Sequence, residues 1–293
     1  MIVLDGGIGR HLEKMGAPFG QPEWSALSLI QEPDFVLRAH KDFIDSGADV
    51  ITTNSYAIVP FHIGKDRFEK EGKDLLNRAG NIAREAVKLY KKEIKIAASI
   101  PPVLGSYKPD VFNSEKAIPI LEIFKNNLIQ YCDLILAETL SSIDEIKTIQ
   151  RVFGDCKMPF WISLTIEDEY CNIPKLRSGE EIITALRKID FNKISSVLFN
   201  CSQPEVMAKA IKVAKNLVPE NTSLGVYANA FQPIKIGQRD ANSQIRNTRQ
   251  ELTPEKYFDF VKEWNELEVD IIGGCCGIGP EHIKKICELK KNR

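Results

Sequence analysis

A (β/α)8 barrel of the TIM class, formed as one domain over residues 1–293, is predicted by three features of this chain. Eight short, apolar, β-rich runs recur along its length. The segments between them carry apolar residues at three- and four-residue steps, the spacing of amphipathic helices. Chemically distinctive residues fall at the C-terminal ends of the runs rather than in the helical segments. Near-continuous apolar strands alternating with helices indicate a parallel sheet covered on both faces, and eight such units at this length close into a barrel.

The runs are 2–4, 49–53, 94–99, 134–138, 160–165, 196–200, 224–228 and 270–273. Helical periodicity is plain over 33–44 and 72–83, and Gly47 closes the first of these just before the second run, as glycines at helix C-termini do. After the seventh run comes a long polar stretch, 231–253, with Gly237, Asn242 and Asn247 and little periodicity. A connection of that length in a compact domain is expected to be functional or mobile. No domain boundary, repeat or low-complexity segment interrupts the pattern.

Composition narrows the function. The chain is 43% hydrophobic and 27% charged, with 39 basic residues against 40 acidic ones and a net charge of -1. It has no basic footprint for nucleic acid and no polybasic segment for a lipid surface, so small-molecule chemistry is favoured. No stretch approaches the ~18 apolar residues of a membrane span, and the N-terminus lacks the charged and apolar regions of a signal peptide, so a cytoplasmic location is the expectation. Seven cysteines, two of them adjacent, fit metal ligands or buried thiols better than a disulfide framework. Cys132, Cys156, Cys171 and Cys287 read as small buried or surface residues.

The most informative segment is Gly273-Gly274-Cys275-Cys276-Gly277 at the end of the eighth run. Cys201 ends the sixth run, and in a closed barrel these two strands are neighbours but one. Three thiols could then meet at one ion, with Gly273 and Gly274 adopting conformations other residues avoid so that consecutive cysteines both reach it. Zinc held by three protein groups keeps a fourth position open, the arrangement of catalytic sites. Asp5, in Leu4-Asp5-Gly6-Gly7, puts a carboxylate at the end of the first run, followed by backbone amides free to approach a ligand. Glu138 ends an otherwise apolar run and needs a partner, which a substrate ammonium or an internal lysine would supply. His40 and His282 read as packing or surface residues, His11 and His62 as side chains able to touch substrate, and Trp24 as a lining or capping residue.

Leu4-Asp5-Gly6-Gly7, Trp24-Ser25, residues 47–56 through Asn54 and Tyr56, Glu138-Thr139, Asn200-Cys201-Ser202 and Gly273–Gly277 resemble, in this order, the homocysteine S-methyltransferase family. That family includes S-methylmethionine- and betaine-dependent enzymes and the homocysteine-binding module of cobalamin-dependent methionine synthase. The resemblance implies a zinc-dependent barrel in which Cys201, Cys275 and Cys276 match the family's thiolate ligands. It implies that Asp5, Gly6, Gly7 and Glu138 help bind the amino acid portion of homocysteine, with Asn54 and Tyr56 close by. Two segments depart from the family pattern, 99–109 and Tyr227-Ala228-Asn229, and both lie where the methyl donor should approach.

The expected activity is therefore transfer of a methyl group from a small activated donor, S-methylmethionine or S-adenosylmethionine before betaine, to the thiol of homocysteine, giving methionine. A protonated thiol is a poor nucleophile at neutral pH, which is why Zn2+ is the expected cofactor. Alternatives are a homocysteine module working with a separate corrinoid protein, and a non-catalytic zinc-binding relative. A Schiff-base aldolase on the same barrel would need a lysine ending an apolar run, and none of the eight ends in one.

Overall fold

A computed structural model describes residues 1–169, 171–234 and 247–291, so Gly237 and Asn242 of the long polar stretch lie outside the described residues. Its strands are β1 (Ile2–Val3), β2 (Val50–Thr52), β3 (Lys95–Ile100), β4 (Leu134–Leu140), β5 (Phe160–Leu164), β6 (Ser196–Asn200), β7 (Ser223–Tyr227) and β8 (Ile271–Ile272). They pair in parallel in the order β1-β8-β7-β6-β5-β4-β3-β2. The ring closes through a Leu4–Val50 bridge, with Asp49 N donating to Val3 O at 2.8 Å and Asp5 N to Val50 O at 3.0 Å. Both β6 and β8 pair with β7, which sets their C-terminal ends side by side.

Side chains alternate across this sheet with a period of two. Ile51, Ala98, Ile135, Ile162, Val197 and Val226 point outward into the layer packed by the helices. Their neighbours Val50, Ala97, Leu136, Trp161, Leu198 and Tyr227 fill the barrel interior. One step further along the inward face the residues turn polar: Thr52, Ser99, Glu138, Ser163 and Asn200. The apolar plug thus gives way to hydrogen-bonding groups at the C-terminal ends of the strands, the face on which barrels of this type carry out chemistry.

The helix Pro33–Asp45 ends where expected, with Gly47 at φ 104°. Its neighbour Lys65–Lys88 runs well beyond 72–83 at both ends. Phe68 and Ala86 extend the buried stripe of Leu75 and Ala79, while lysines and glutamates cover the other face. Among the described residues, no helix is long and apolar enough to cross a membrane.

At the opposite rim, Asp49, Asp133 and Asp270 each precede an even-numbered strand and accept the backbone N–H of the strand before it. Val3 N reaches Asp49 Oδ2 at 2.8 Å, Ile96 N reaches Asp133 Oδ2 at 2.8 Å, and Leu224 N reaches Asp270 Oδ2 at 2.9 Å. Asp49 and Asp270, expected to begin strands, instead tie neighbouring strands together by their side chains. Asp133 also pairs with Arg84 at 2.6 Å. Asp133→Ala leaves the Ile96 amide without its acceptor and Arg84 without its partner, so it is expected to destabilise the protein by about 1–3 kcal/mol. Denaturant unfolding should show a lower midpoint at unchanged slope, with turnover by the folded fraction unaltered.

Candidate active site

A cavity of about 140 Å³ opens at the polar end of the barrel, lined by Cys201, Cys275, Cys276, Asp5, Gly6, Gly7, Glu138, Asn54 and Tyr56 but not by His11. Cys201 follows the last residue of β6, and Cys275 and Cys276 lie in the turn after β8. Their sulfurs all lie within 4.8 Å of one another. The Cys275 thiol donates to Cys201 Sγ at 2.8 Å, and the Tyr107 hydroxyl donates to the same sulfur at 2.9 Å. The Cys275 and Cys276 thiols hold Cys201 well below the usual thiol range, against the effect of burial, with Tyr107 and Asn229 adding to the shift. The same contact with Cys201 pushes Cys275 up.

The glycines before the cysteine pair act through their lack of a side chain, not through unusual backbone angles. A Cβ on Gly273 would stand 2.7 Å from Leu4 Cβ, and one on Gly274 would stand 2.2 Å from Ile278 Cγ2. The left-handed conformations expected at Gly273 and Gly274 fall instead on Gly277 (φ 84°) and on Cys201 (φ 53°). Gly6 and Gly7 allow the chain after β1 to lie against this turn. The Gly7 amide is spent there, donating to Ile278 O at 2.9 Å, so it is not free for a ligand.

Two carboxylates face the thiols. Asp5, 1% exposed, accepts Thr52 N at 2.7 Å and the Thr52 hydroxyl at 3.1 Å. Glu138, 8% exposed, accepts the Ser99 hydroxyl at 2.5 Å and the Tyr227 hydroxyl at 3.3 Å. Among the described residues, no lysine or arginine forms an ion pair with either, and the partners of Glu138 are the Ser99 and Tyr227 hydroxyls. Burial raises Glu138 to about 7 and lifts Asp5 well above the carboxylate range, so ionising either carries a desolvation cost. Asn54 adds a third acceptor: its Nδ2 donates to Ser25 O at 3.0 Å, while its Oδ1 is buried with no partner. Tyr56 shares a 2.8 Å hydrogen bond with Ser106 Oγ.

Of the histidines, only His62 lines the cavity, with Nδ1 at 2.8 Å from Pro22 O and its pKa lowered by burial to about 4. His11 turns away to Asp42 (2.7 Å) and the edge of Phe43. His40 and His282 are buried in packing positions. Trp24 lines the cavity wall.

Several contributors draw their roles from strand pairing, although Ser99, Asn200 and Tyr227 already stand in segments the sequence marks. Ser99, Ser163, Asn200 and Tyr227 matter because neighbouring strands bring them beside Glu138 or Cys201. Tyr107 and Tyr227 come from the two segments that depart from the family pattern, and both reach the site. A buried pair, Arg177 with Asp168 (3.0 and 3.2 Å), holds this region from below: Asp168 also accepts Gln203 N at 2.9 Å and Ile234 N at 2.8 Å. Backbone strain gathers here as well. Among the described residues, five other than glycine have positive φ, and Trp24, Tyr107, Thr139 and Cys201 are four of them. Such conformations persist where surrounding contacts over-determine them, commonly at functional sites.

Three thiols directed at one point, open on the cavity side, suit a soft divalent ion such as zinc, which is bound catalytically by three protein groups. Fold and cavity together define a barrel enzyme with a sulfur-lined pocket that also carries two carboxylates. A family model described as homocysteine S-methyltransferase matches residues 2–289, and the chain belongs to that family; it is a methyltransferase. Among curated relatives, it is 28% identical to homocysteine S-methyltransferase 1 of Brassica oleracea var. italica, over 99% of this chain and 94% of the relative. It is 26% identical to the selenocysteine methyltransferase of Astragalus bisulcatus, over 98% of this chain and 91% of that one. The metallated form of the homocysteine methyltransferase MmuM from Escherichia coli shares the fold, with a TM-score of 0.79 at 21% identity, covering 99% of this chain and 96% of that one.

Proposed function

We propose that the protein moves a methyl group from a small, positively charged donor to the thiol of homocysteine, with Zn2+ held by Cys201, Cys275 and Cys276. The observation that carries this reading is the pairing, in one cavity, of three convergent thiols with two buried carboxylates that form no ion pair with lysine or arginine among the described residues. A bound Zn2+ supplies the Lewis acidity that keeps the acceptor's sulfur deprotonated at neutral pH.

The chain's own residues do the rest. Glu138 and Asp5 take the acceptor's ammonium, and the orphaned Asn54 Oδ1 offers a further acceptor for it. Ser99 and Tyr227 hold the Glu138 carboxylate in place. Tyr107 fixes the position of Cys201 Sγ through its hydroxyl. Positioning of this kind lets a thiolate and a methyl carbon meet in line without a general acid, provided the donor already carries a good leaving group. A sulfonium such as S-methylmethionine or S-adenosylmethionine meets that requirement.

The test is methionine formation from homocysteine by the reduced, zinc-loaded protein with S-methylmethionine, S-adenosylmethionine, betaine and methylated corrinoid in parallel. Turnover with a sulfonium is expected. Turnover confined to the corrinoid would assign the donor role to a separate protein, and silence with every donor while zinc is bound would overturn homocysteine as acceptor.

A further inference from the structure

We propose that Asn200 is a positioning residue that locks a bulge in β4 and so aims Glu138 at the acceptor's ammonium group. Between paired positions β4 holds one residue more than β5: Ala137 pairs with Ile162 and Leu140 with Leu164. The extra residue falls at Glu138-Thr139, and Thr139 has φ 63°, a conformation that β-branched residues avoid. Bulges of this kind re-aim side chains beside active sites and need neighbours that hold them.

The Asn200 amide does the holding. Thr139 N donates to Asn200 Oδ1 at 3.0 Å, and Asn200 Nδ2 donates back to Thr139 Oγ1 at 2.9 Å. The Ser163 hydroxyl donates to the same Oδ1 at 2.8 Å and fixes which amide atom meets the Thr139 N–H. Asn200, Thr139 and Ser163 are fully buried, so these bonds are not exchanged with water. The reciprocal pair needs a donor and an acceptor on one short planar group, which asparagine has and aspartate or leucine lacks.

Asn200 also immediately precedes Cys201, whose own φ is 53°. One amide therefore joins the strand end that presents Glu138 to the strand end that presents a sulfur. The distance between an acceptor's amino group and its thiol is thereby matched to two rigid points rather than to a loop. Glycine would adopt the Thr139 conformation unaided but would lose the Oγ1 contact that ties the bulge to β6.

This inference rests on the ammonium assignment proposed above, and its test separates the two. Calorimetry on the reduced, zinc-loaded protein gives Kd for homocysteine and for 4-mercaptobutanoate, the same thiol acid without the amino group. The ratio of the two Kd values reads ammonium recognition alone, because general loosening of the barrel weakens both ligands together. Glu138→Gln is expected to shrink the ratio tenfold or more, Asn200→Ala at least fivefold, and the double variant no further than Glu138→Gln. If Asn200→Ala does not fold, Thr139→Val carries the test with Tyr56→Phe as its control, since it keeps the side-chain shape and removes the Oγ1 hydroxyl, which contacts Tyr56 as well as Asn200. A ratio unchanged in both Asn200→Ala and Thr139→Val, with Glu138→Gln reducing it, overturns the positioning role. An unchanged ratio in Glu138→Gln overturns the ammonium assignment and the inference with it.

Discussion

Cys276→Ala is expected to lose stoichiometric zinc and all measurable methyl transfer while the barrel stays folded. Removing one of three thiols leaves two protein ligands, too few for a site that must also keep a position open for substrate. The loss should exceed the 10- to 100-fold cost typical of deleting only an outer partner of a metal ligand. Folding should be spared because the structural duties at this position belong to the backbone: Cys276 O accepts Ala230 N at 2.8 Å whatever the side chain. The side chain itself is half-buried at the cavity, and its truncation is expected to shift metal-free stability by no more than about 1 kcal/mol. Metal content by elemental analysis, activity with the best donor and circular dichroism check the three parts. Cys171→Ala, at a residue that does not line the cavity, should leave all three unchanged. A Cys276→Ala protein that retains zinc and turnover would remove this thiol from the ligand set.

The eight strands were legible because burial on both faces of a parallel sheet writes an almost continuous apolar run, and each run lies within a residue or two of a strand. The errors have local causes. Asp49 and Asp270 look like strand residues because they touch the runs, yet their carboxylates serve as acceptors for neighbouring strands, a role visible only once strands are paired. β4 reaches Leu140 rather than stopping at Glu138 because the bulge lets pairing resume beyond it. The thiols and carboxylates could be picked out as chemically costly groups at strand ends. What could not be read was their support: Ser99, Ser163, Asn200 and Tyr227 gain their roles from register across β3 to β7, and Tyr107 from a loop that folds over Cys201. The glycines before the cysteine pair were legible as special but not in kind, since close packing and unusual φ leave the same residue in the sequence.

Glu138→Gln is expected to make the metal-free protein more stable at alkaline pH while crippling acceptor binding. Burial holds the Glu138 carboxyl at about 7 against an ordinary value of 4.5, so between those values the native state keeps a proton that the unfolded chain has released. Stability from this group is therefore fully present below 4.5 and is lost as pH rises through 7, falling by about 1.4 kcal/mol per unit in that window. The whole effect amounts to about 3 kcal/mol as an upper estimate. Glutamine keeps the shape and never ionises, so the variant and the parent should match at pH 5, with the variant the more stable at pH 8. Glu145, raised by burial to about 8, remains in both proteins, so the difference between them, not the slope of either, is the quantity to read. Acceptor binding moves the opposite way. A charge-assisted hydrogen bond is worth about 1.5–3 kcal/mol, so losing it should raise the Kd for homocysteine roughly 10- to 100-fold. Unfolding curves at the two pH values and calorimetric titration with homocysteine test both halves together. A carboxylate kept at a stability cost and repaid only when an ammonium arrives belongs to a binding site; a variant no more stable at pH 8 and unimpaired in binding would make Glu138 an ordinary buried acid.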